Sequence, residues 1–292
     1  MKTLERAQRW LRLRTRWARQ RWSFVDNLAL AYDRYCDVLA GRLAAAIAYY
    51  GFFACYALVL LAFSALGFVA RYDPHIQDNV QHFLRLNLPW IDPTLPVTSR
   101  GQTGLIGLIG LLVTGVGWIE TIRSSQRLIH RVEQQPGHPI KRYLVDVGVL
   151  IAMVLLVGLS LTAFYALESL VTWIAGGPSA LISGLGYFFA VLLNLLLAAY
   201  LLVGVPRLRL SRWRLLPSVL FVGTGVTLLN TVGQALIRHT RHNPAYAVVT
   251  AAVALLLYLY LFNQLLLFGA ALAATSPYGR VRDLAAGRTV SG

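Results

Sequence analysis

Charged residues are scarce in this chain, and their scarcity excludes most soluble folds. Only 13% of the 292 residues are charged, while 57% are hydrophobic. An ordinary soluble domain carries about 25% charged residues, so this chain has too few of them to keep a 32.3 kDa surface in water. The apolar content is also far too high for a disordered chain. The composition therefore predicts a helical protein that crosses a membrane several times.

Side chains suited to metal binding or catalysis are also few. The two cysteines, Cys36 and Cys55, form neither a disulfide framework nor a zinc pattern. All six histidines lie outside the long apolar stretches. The chain has no His-Glu-x-x-His, no Gly-x-Ser-x-Gly and no phosphate-binding glycine loop. We therefore expect no metal, no cofactor and no catalytic residues, and the protein is predicted not to be an enzyme.

Six apolar stretches are long enough, or nearly so, to cross a bilayer, which takes about 20 residues of helix. They are residues 43–70, 104–119, 143–175, 179–205, 215–237 and 245–274. The sequence thus predicts an all-α integral membrane protein with six transmembrane helices in one bundle. The bundle covers residues 43–275, a basic arm at residues 1–42 precedes it, and a tail at residues 276–292 follows it.

Lysine and arginine are distributed unevenly among the segments that flank these stretches. The N-terminal segment and every second segment after it hold 22 of the 27 basic residues, and the other segments hold five. Segments rich in lysine and arginine stay on the cytoplasmic side of a membrane. The sequence therefore predicts that both termini are cytoplasmic.

Two basic segments are predicted to form helices outside the apolar core. Residues 4–28 place Trp10 and Trp17 at helical spacing among arginines, a pattern that suits the headgroup layer of an anionic leaflet; a solvated basic tail is the alternative. We expect this arm to bind anionic lipid headgroups and not nucleic acid. Residues 120–134 carry Arg123, Arg127 and Arg131 on one face. They predict either an inward continuation of the second span or an elbow helix on the cytoplasmic surface.

Polar side chains within the spans are the candidate functional positions. In the fifth span, Gly223, Thr227, Asn230 and Gln234 follow one another at helical spacing. Such a face points into a bundle or a cavity and not at lipid. Two roles stay open, hydrogen bonding between helices and the lining of a substrate cavity. The candidate cavity-lining residues are Tyr49, Tyr56, Asn194, Thr227, Asn230, Gln234, Asn263 and Gln264.

Charged residues near the span ends are candidates for an interface or a conduction path; they are Arg42, Glu120, Asp146 and Glu168. Asp146 follows Arg142 by four residues, so the two are expected to form an ion pair on one helix face. Asp146 and Glu168 lie 22 residues apart, which is about 33 Å along a helix, so they cannot form a catalytic pair. Each acid is expected either to be solvated at the interface or to serve a proton or substrate path.

The two ends of the predicted bundle resemble a known family. Residues 41–50 (Gly-Arg-Leu-Ala-Ala-Ala-Ile-Ala-Tyr-Tyr) and residues 265–275 (Leu-Leu-Leu-Phe-Gly-Ala-Ala-Leu-Ala-Ala-Thr) resemble the matching segments of the YihY/virulence factor BrkB family, and its YhjD branch in particular. The likeness covers about residues 25–276. The chain departs from the family pattern after its Tyr-Tyr pair, where the usual proline is missing. It also carries Ala271 where many members have glutamate.

The resemblance implies a multi-pass protein of the bacterial inner (cytoplasmic) membrane. It also implies a transporter or flippase-like exporter of an amphipathic, anionic lipid-type substrate, because the YhjD branch is associated with lipid export. The alternative is a non-transporting envelope scaffold or regulatory membrane protein, and a homo-oligomer is compatible with either function. The family once carried the label ribonuclease BN, but the residues of a metal nuclease are missing from this sequence.

The charge asymmetry predicts the result of a labelling experiment. In a background without Cys36 and Cys55, a maleimide that cannot cross membranes should label Ser179→Cys in intact cells. It should label Ser211→Cys only after the cells are permeabilised, because residue 211 lies in a basic segment. The reverse pattern would overturn the predicted orientation.

Overall fold

A computed structural model provides the fold and describes residues 23–69, 100–155, 180–240, 247–285 and 288–290. Most of these residues are helical. Residues 1–22 of the predicted basic arm and Glu168 lie outside the described residues, so the predictions made for them are not addressed by the structure.

Eight α-helices and two short π-helical turns follow one another in the described part of the chain. The α-helices are α1 (Ser23–Asp37), α2 (Ala40–Val69), α3 (Arg100–Gly110), α4 (Val116–Ile129), α5 (residues 139–155), α6 (Ala180–Ala199), α7 (Arg212–Thr240) and α8 (Ala247–Thr275). A π-helical turn at Leu111–Gly115 joins α3 to α4, and another at Tyr200–Gly204 extends α6.

Four helical stretches are long and apolar enough to cross a membrane: Ala40–Ala62, Gly104–Ile129, Arg212–Gly233 and Val249–Thr275. They match the first, second, fifth and sixth predicted spans. A shorter apolar helix, Phe188–Gly204, falls within the fourth, and the third is described only as far as residue 155. The count of six spans and the cytoplasmic termini therefore stay predictions.

The second span is longer than predicted, because α4 continues it without a break to Ile129. Residues 120–129 therefore continue the helix of the second span, in agreement with one of the two alternatives open from sequence, while the side of the membrane on which they lie stays a prediction. Their isoleucines explain the continuation. Ile119, Ile122 and Ile129 are fully buried in the main core, so the apolar face of the helix extends past the point where its arginines begin.

A small antiparallel sheet corrects the all-α prediction. Strand β2 (Val281–Asp283) pairs with β1 (Leu208–Leu210) on one side and with β3 (Arg288–Val290) on the other. Leu208, Leu210 and Val281 point inward and pack on Ala273. Three-residue strands are too short for their alternation to be read from the sequence, so the tail at residues 276–292 gave no sign of ordered structure.

Helices α2 and α3 approach each other closely along a line of glycines. A Cβ atom at Gly107 would lie 2.9 Å from the backbone nitrogen of Leu61. The next glycine toward α4, Gly110, faces the Cβ atom of Ala57. Small residues of this kind let the backbones of membrane helices come into contact. The contact holds α4, which follows in the same span, against α2.

Helix α1 lies along the last third of α8. The Asn27 side-chain amide donates a 3.5 Å hydrogen bond to the Leu272 carbonyl, and the Thr275 hydroxyl donates to Asn27 Oδ1 at 2.8 Å. Further along, the rings of Tyr35 and Phe268 are 5.9 Å apart. This helix begins within the predicted basic arm, and the contacts fix its described part to the bundle.

The glycine contact predicts opposite effects for two Gly→Ala substitutions. Gly107→Ala should lower stability by about 1–3 kcal/mol, because the added methyl group would collide with backbone atoms of α2. Gly148→Ala on α5 should leave stability unchanged or raise it by up to about 1 kcal/mol, since nothing lies within 4 Å of its added Cβ and alanine favours helix. Unfolding midpoints in detergent measure both effects. Equal midpoints for the two variants would contradict the close approach of α2 and α3.

Candidate functional site

Two arginines on α4, Arg123 and Arg127, are completely buried at one end of the bundle. They are four residues apart and therefore lie on the same side of the helix. A charge removed from water is costly unless another charge and hydrogen bonds compensate it. The partners of these two side chains consequently determine how this end of the protein is built.

Arg123 shares a buried carboxylate with a second arginine. Its Nη2 atom donates to Oδ2 of Asp146 on α5 at 2.9 Å, and Arg207 Nη2 donates to Oδ1 of the same group at 2.6 Å. Asp146 was predicted to pair with Arg142, its neighbour four residues before. The structure instead directs Arg142 Nη1 to the Gln135 carbonyl, because the packing of α4 against α5 brings Arg123 to the buried side of Asp146.

Arg127 forms a bidentate ion pair with strand β2. Its Nη2 and Nη1 atoms donate to Oδ2 and Oδ1 of Asp283 at 2.5 and 3.1 Å. The guanidinium also donates to the carbonyls of Pro206 and Glu133. Every edge of this guanidinium thus has an acceptor, and the pair joins α4 to β2 across 156 residues of sequence.

We call these five residues, Arg123, Arg127, Asp146, Arg207 and Asp283, the ion-pair network. Glu120 lies at its edge, with Oε1 3.8 Å from Arg123 Nη2 and a side chain that is 41% exposed. Arg207 has a φ of 57°, which is costly for a residue other than glycine. It is held in that conformation by Asp146 on one side and by the backbone bond from Leu284 N to the Arg207 carbonyl on the other.

Within the described part of the chain, several buried polar atoms beside the network have no hydrogen-bond partner. They are Arg123 Nε and Nη1, both side-chain amide atoms of Gln126, His130 Nε2 and Arg207 Nε. His130 Nδ1 lies 2.9 Å from the Gln126 carbonyl, so Nδ1 carries the proton and Nε2 is a bare acceptor. Burial, aided by the charges of Arg214, Arg34 and Arg127, lowers the pKa of His130 to about 4, although its bond to the Gln126 carbonyl favours the protonated form. The ring is therefore neutral at physiological pH.

The predicted polar positions of the spans form hydrogen-bonded pairs between helices. Asn194 on α6 donates to the Thr227 hydroxyl on α7 at 3.1 Å. Asn230 on α7 accepts from the Tyr258 hydroxyl on α8 at 2.6 Å. Asn263 is fully buried and donates to the Leu259 carbonyl of its own helix, and its Oδ1 atom has no partner. The Asn194–Thr227 and Asn230–Tyr258 bonds join neighbouring helices, whereas the Asn263 bond stays within α8. A cavity-lining role for the same residues stays a prediction.

The other predicted positions are spread over the molecule. Tyr49 and Tyr56 on α2 are 58% and 61% exposed and lie on its outer face. Arg42 is exposed at the start of the same helix. The side chain of Gln234 lies outside the described residues. The structure therefore does not bring the two tyrosines to the asparagine pairs.

Gln264 lines an apolar groove of about 920 Å³ between α1, α7 and α8. Leu28 and Tyr32 contribute from α1, Leu228 from α7, and Phe268 from α8. Sequence reasoning identified Gln264 but missed this groove, because α1 had been assigned to an arm outside the bundle. It also missed Tyr258 and the ion-pair network. The sequence signals for the network are the arginine face of residues 120–134 and the candidate charged residues Asp146 and Glu120, but the sequence does not predict which of these charges pair.

The network predicts that charge removal from β2 is severely destabilising. Asp283→Asn should lower the free energy of unfolding by about 3–5 kcal/mol, because it leaves Arg127 buried without a counter-charge. Arg282→Gln, on the exposed face of the same strand, should change it by no more than about 0.5 kcal/mol. The double variant Arg127→Met, Asp283→Leu should recover much of the loss. Denaturation in detergent measures all three, and a mild effect of Asp283→Asn would show that the pair is not essential to this end of the protein.

Comparison with known proteins agrees with this architecture. Residues 31–289 match the family described as virulence factor BrkB. The chain is 26% identical to inner membrane protein YhjD of Escherichia coli over 286 residues, which cover 89% of this chain and 83% of that protein. It is 29% identical over 260 residues to a UPF0761 membrane protein of Rhodospirillum rubrum, covering 81% of this chain and 55% of the relative. No solved structure matches.

The match extends over most of the chain and confirms the resemblance found at the two ends of the bundle. Four apolar helices of spanning length accompany it. This chain therefore belongs to the virulence factor BrkB family and is a multi-pass membrane protein.

Proposed function

We propose that this protein is a transporter or flippase-like exporter of an amphipathic, anionic lipid-type substrate. The observation that carries the proposal is the groove between α1, α7 and α8, whose volume of about 920 Å³ falls in the range of ligand sites. Its walls are leucine, valine and aromatic side chains with Gln264 among them. A groove of this composition suits an acyl chain.

The charge of the protein supports an anionic headgroup. Among the described residues, the buried charged side chains are three arginines and two aspartates, so the interior of this end carries excess positive charge. Ten of the 27 basic residues also lie in the first 42 positions. Basic segments of this kind attract anionic lipids at the cytoplasmic surface. Anionic lipid-type substrates would thus be concentrated at the end where the network lies.

The proposal includes a location and an orientation. We place the protein in the bacterial cell membrane with six spans and with the network on the cytoplasmic side. One relative is named an inner membrane protein, and the basic segments favour this orientation. The chain contains no nucleotide-binding motif, so the driving force for export would come from an ion gradient or a partner protein.

A second candidate function is a non-transporting scaffold or regulator of the cell envelope. The observation that favours it is the pairing of Asn194 with Thr227 and of Asn230 with Tyr258, since paired side chains serve helix packing. The exposed aromatic face of α2, with Tyr49, Phe53 and Tyr56, offers a surface for another membrane protein or a second copy of this chain.

Reconstitution into vesicles tests the transport proposal. Under an imposed ion gradient, we expect vesicles that contain the protein to move fluorescent phosphatidylglycerol between leaflets faster than empty vesicles under the same gradient, as measured by dithionite quenching. Leu228→Trp fills the groove and should slow the movement about tenfold or more, equivalent to about 1.4 kcal/mol. Leu220→Trp, on the same helix but outside the groove, should behave like the wild type.

Two results of this experiment would change the assignment. If vesicles that contain the protein move lipid no faster than empty vesicles, the transporter proposal is wrong and the scaffold function is favoured. Equal slowing of lipid movement by Leu228→Trp and Leu220→Trp would show that the groove is not the transport path. Asn230→Leu in the same assay tests whether this asparagine lines the transport path or only packs the helices together. Loss of a single interhelical hydrogen bond costs only about 0.6 kcal/mol, so the variant should stay folded and its rate of lipid movement can be compared with that of the wild type.

A further inference from the structure

Two buried side chains of α4 beside the ion-pair network have unmade hydrogen bonds. The Arg123 guanidinium is fully buried, yet its Nε and Nη1 atoms have no acceptor. Gln126 is also fully buried, with neither side-chain amide atom bonded. A buried N–H group without an acceptor costs more than an ordinary hydrogen bond contributes, and a charged group costs most. Side chains in this state indicate a place for a ligand.

The geometry brings these donors together. Arg123 and Gln126 are three residues apart and so are neighbours on one face of α4. Arg207 approaches from the other side, because its guanidinium and that of Arg123 bind the two oxygens of the Asp146 carboxylate at 2.6 and 2.9 Å. Its Nε atom is likewise without an acceptor. Two arginines from two segments therefore carry free N–H groups beside one carboxylate, and Gln126 adds another free N–H group three residues along α4.

The charge balance favours an anion over water at this place. Both oxygens of Asp146 are already engaged by Arg123 and Arg207, and all three guanidinium nitrogens of Arg127 have acceptors in Asp283 and two carbonyls. Two arginines thus share one buried negative charge, with the half-exposed Glu120 as the next carboxylate. Water would accept the N–H bonds but would leave the excess positive charge, whereas an oxyanion satisfies both requirements.

We propose that Arg123, Gln126 and Arg207 form a binding site for a single phosphate-type oxyanion, with the free Nε–H and Nη1–H groups of Arg123 as its main donors. Hydrogen bonds from a charged guanidinium to a phosphate oxygen are among the strongest in proteins. Arg123 lies in the last two turns of the apolar helix Gly104–Ile129, so the site lies near the depth at which lipid phosphates are found. The ligand is either free phosphate or the phosphate of a lipid headgroup, and only the second source rests on the function proposed above.

Calorimetric titration of the full chain, in a neutral detergent and phosphate-free chloride buffer, tests the site with three probes. The probes are inorganic phosphate, dioctanoyl phosphatidic acid, and dioctanoylglycerol, which has the same chains and no phosphate. Binding of inorganic phosphate as tightly as phosphatidic acid supports a free-anion site, and tighter binding of phosphatidic acid supports a headgroup site. Failure of both phosphate probes to bind, or equal binding of phosphatidic acid and dioctanoylglycerol, would overturn the proposal.

Substitutions connect the binding to the named residues. Gln126→Met removes two unpaired atoms without touching the ion pairs, so the ligand-free protein should be at least as stable as the wild type. Its affinity for phosphatidic acid should fall about tenfold, the loss expected for one hydrogen bond to a charged group. Arg123→Lys keeps the charge beside Asp146 but removes the free guanidinium N–H groups, and it should weaken binding in the same way. Arg209→Gln removes an exposed charge on β1 and should leave the affinity unchanged.

Two outcomes of this substitution series would overturn the proposed anion site. Wild-type affinity in both Gln126→Met and Arg123→Lys, or a loss only in Arg209→Gln, would assign the binding to surface charge and overturn the site. The titration needs no lipid movement, so it is independent of the vesicle assay. If the protein binds phosphatidic acid but does not move lipid, the anion site is supported and the proposed transport function is wrong.

Discussion

The buried ion pair between Arg127 and Asp283 is the contact on which this end of the protein depends. It joins the end of the second span to a strand that begins six residues after the last span ends. Because the arginine has no exposed surface, it can be charged there only while the strand is in place. The strand in turn pairs with β1, which positions Arg207, and Arg207 completes the charge balance of Asp146. One pair thus organises three segments that are distant in sequence.

The membrane part of the structure is built by different means. Helices α2 and α3 come into contact through Gly107 and its neighbours, and the asparagine pairs join α6, α7 and α8 at greater depth. Two π-helical turns, Leu111–Gly115 and Tyr200–Gly204, lie between these rigid contacts and the ion-pair network. Such turns recur at functional sites. In this protein the two π-helical turns lie between the tightly packed apolar helices and the end of the bundle that contains the ion-pair network.

The groove and the network suit the two halves of an amphipathic molecule. The groove between α1, α7 and α8 is apolar almost throughout, whereas the region around Arg123 has free hydrogen-bond donors and excess positive charge. Lipids combine the same two properties. The asparagine pairs belong to neither region, since their hydrogen bonds are already made within the bundle. Because the groove and the region around Arg123 are distinct, the vesicle experiment substitutes Leu228 in the groove, whereas the titration substitutes Arg123 and Gln126.

The sequence by itself determined the membrane class, four of the long helices and the family, because an apolar stretch of spanning length is a local property of consecutive residues. It also identified Asn194, Thr227 and Asn230 as polar positions within spans. Only the tertiary structure decided which charges pair. Asp146 has Arg142 one helical turn away, yet it binds Arg123 and Arg207, which are 23 and 61 residues distant. The sequence predicts Asp283 only as part of a C-terminal tail. Its position against Arg127 depends on strand β2. Burial strengthens an ion pair far more than closeness in sequence does, and burial arises only when distant segments pack together.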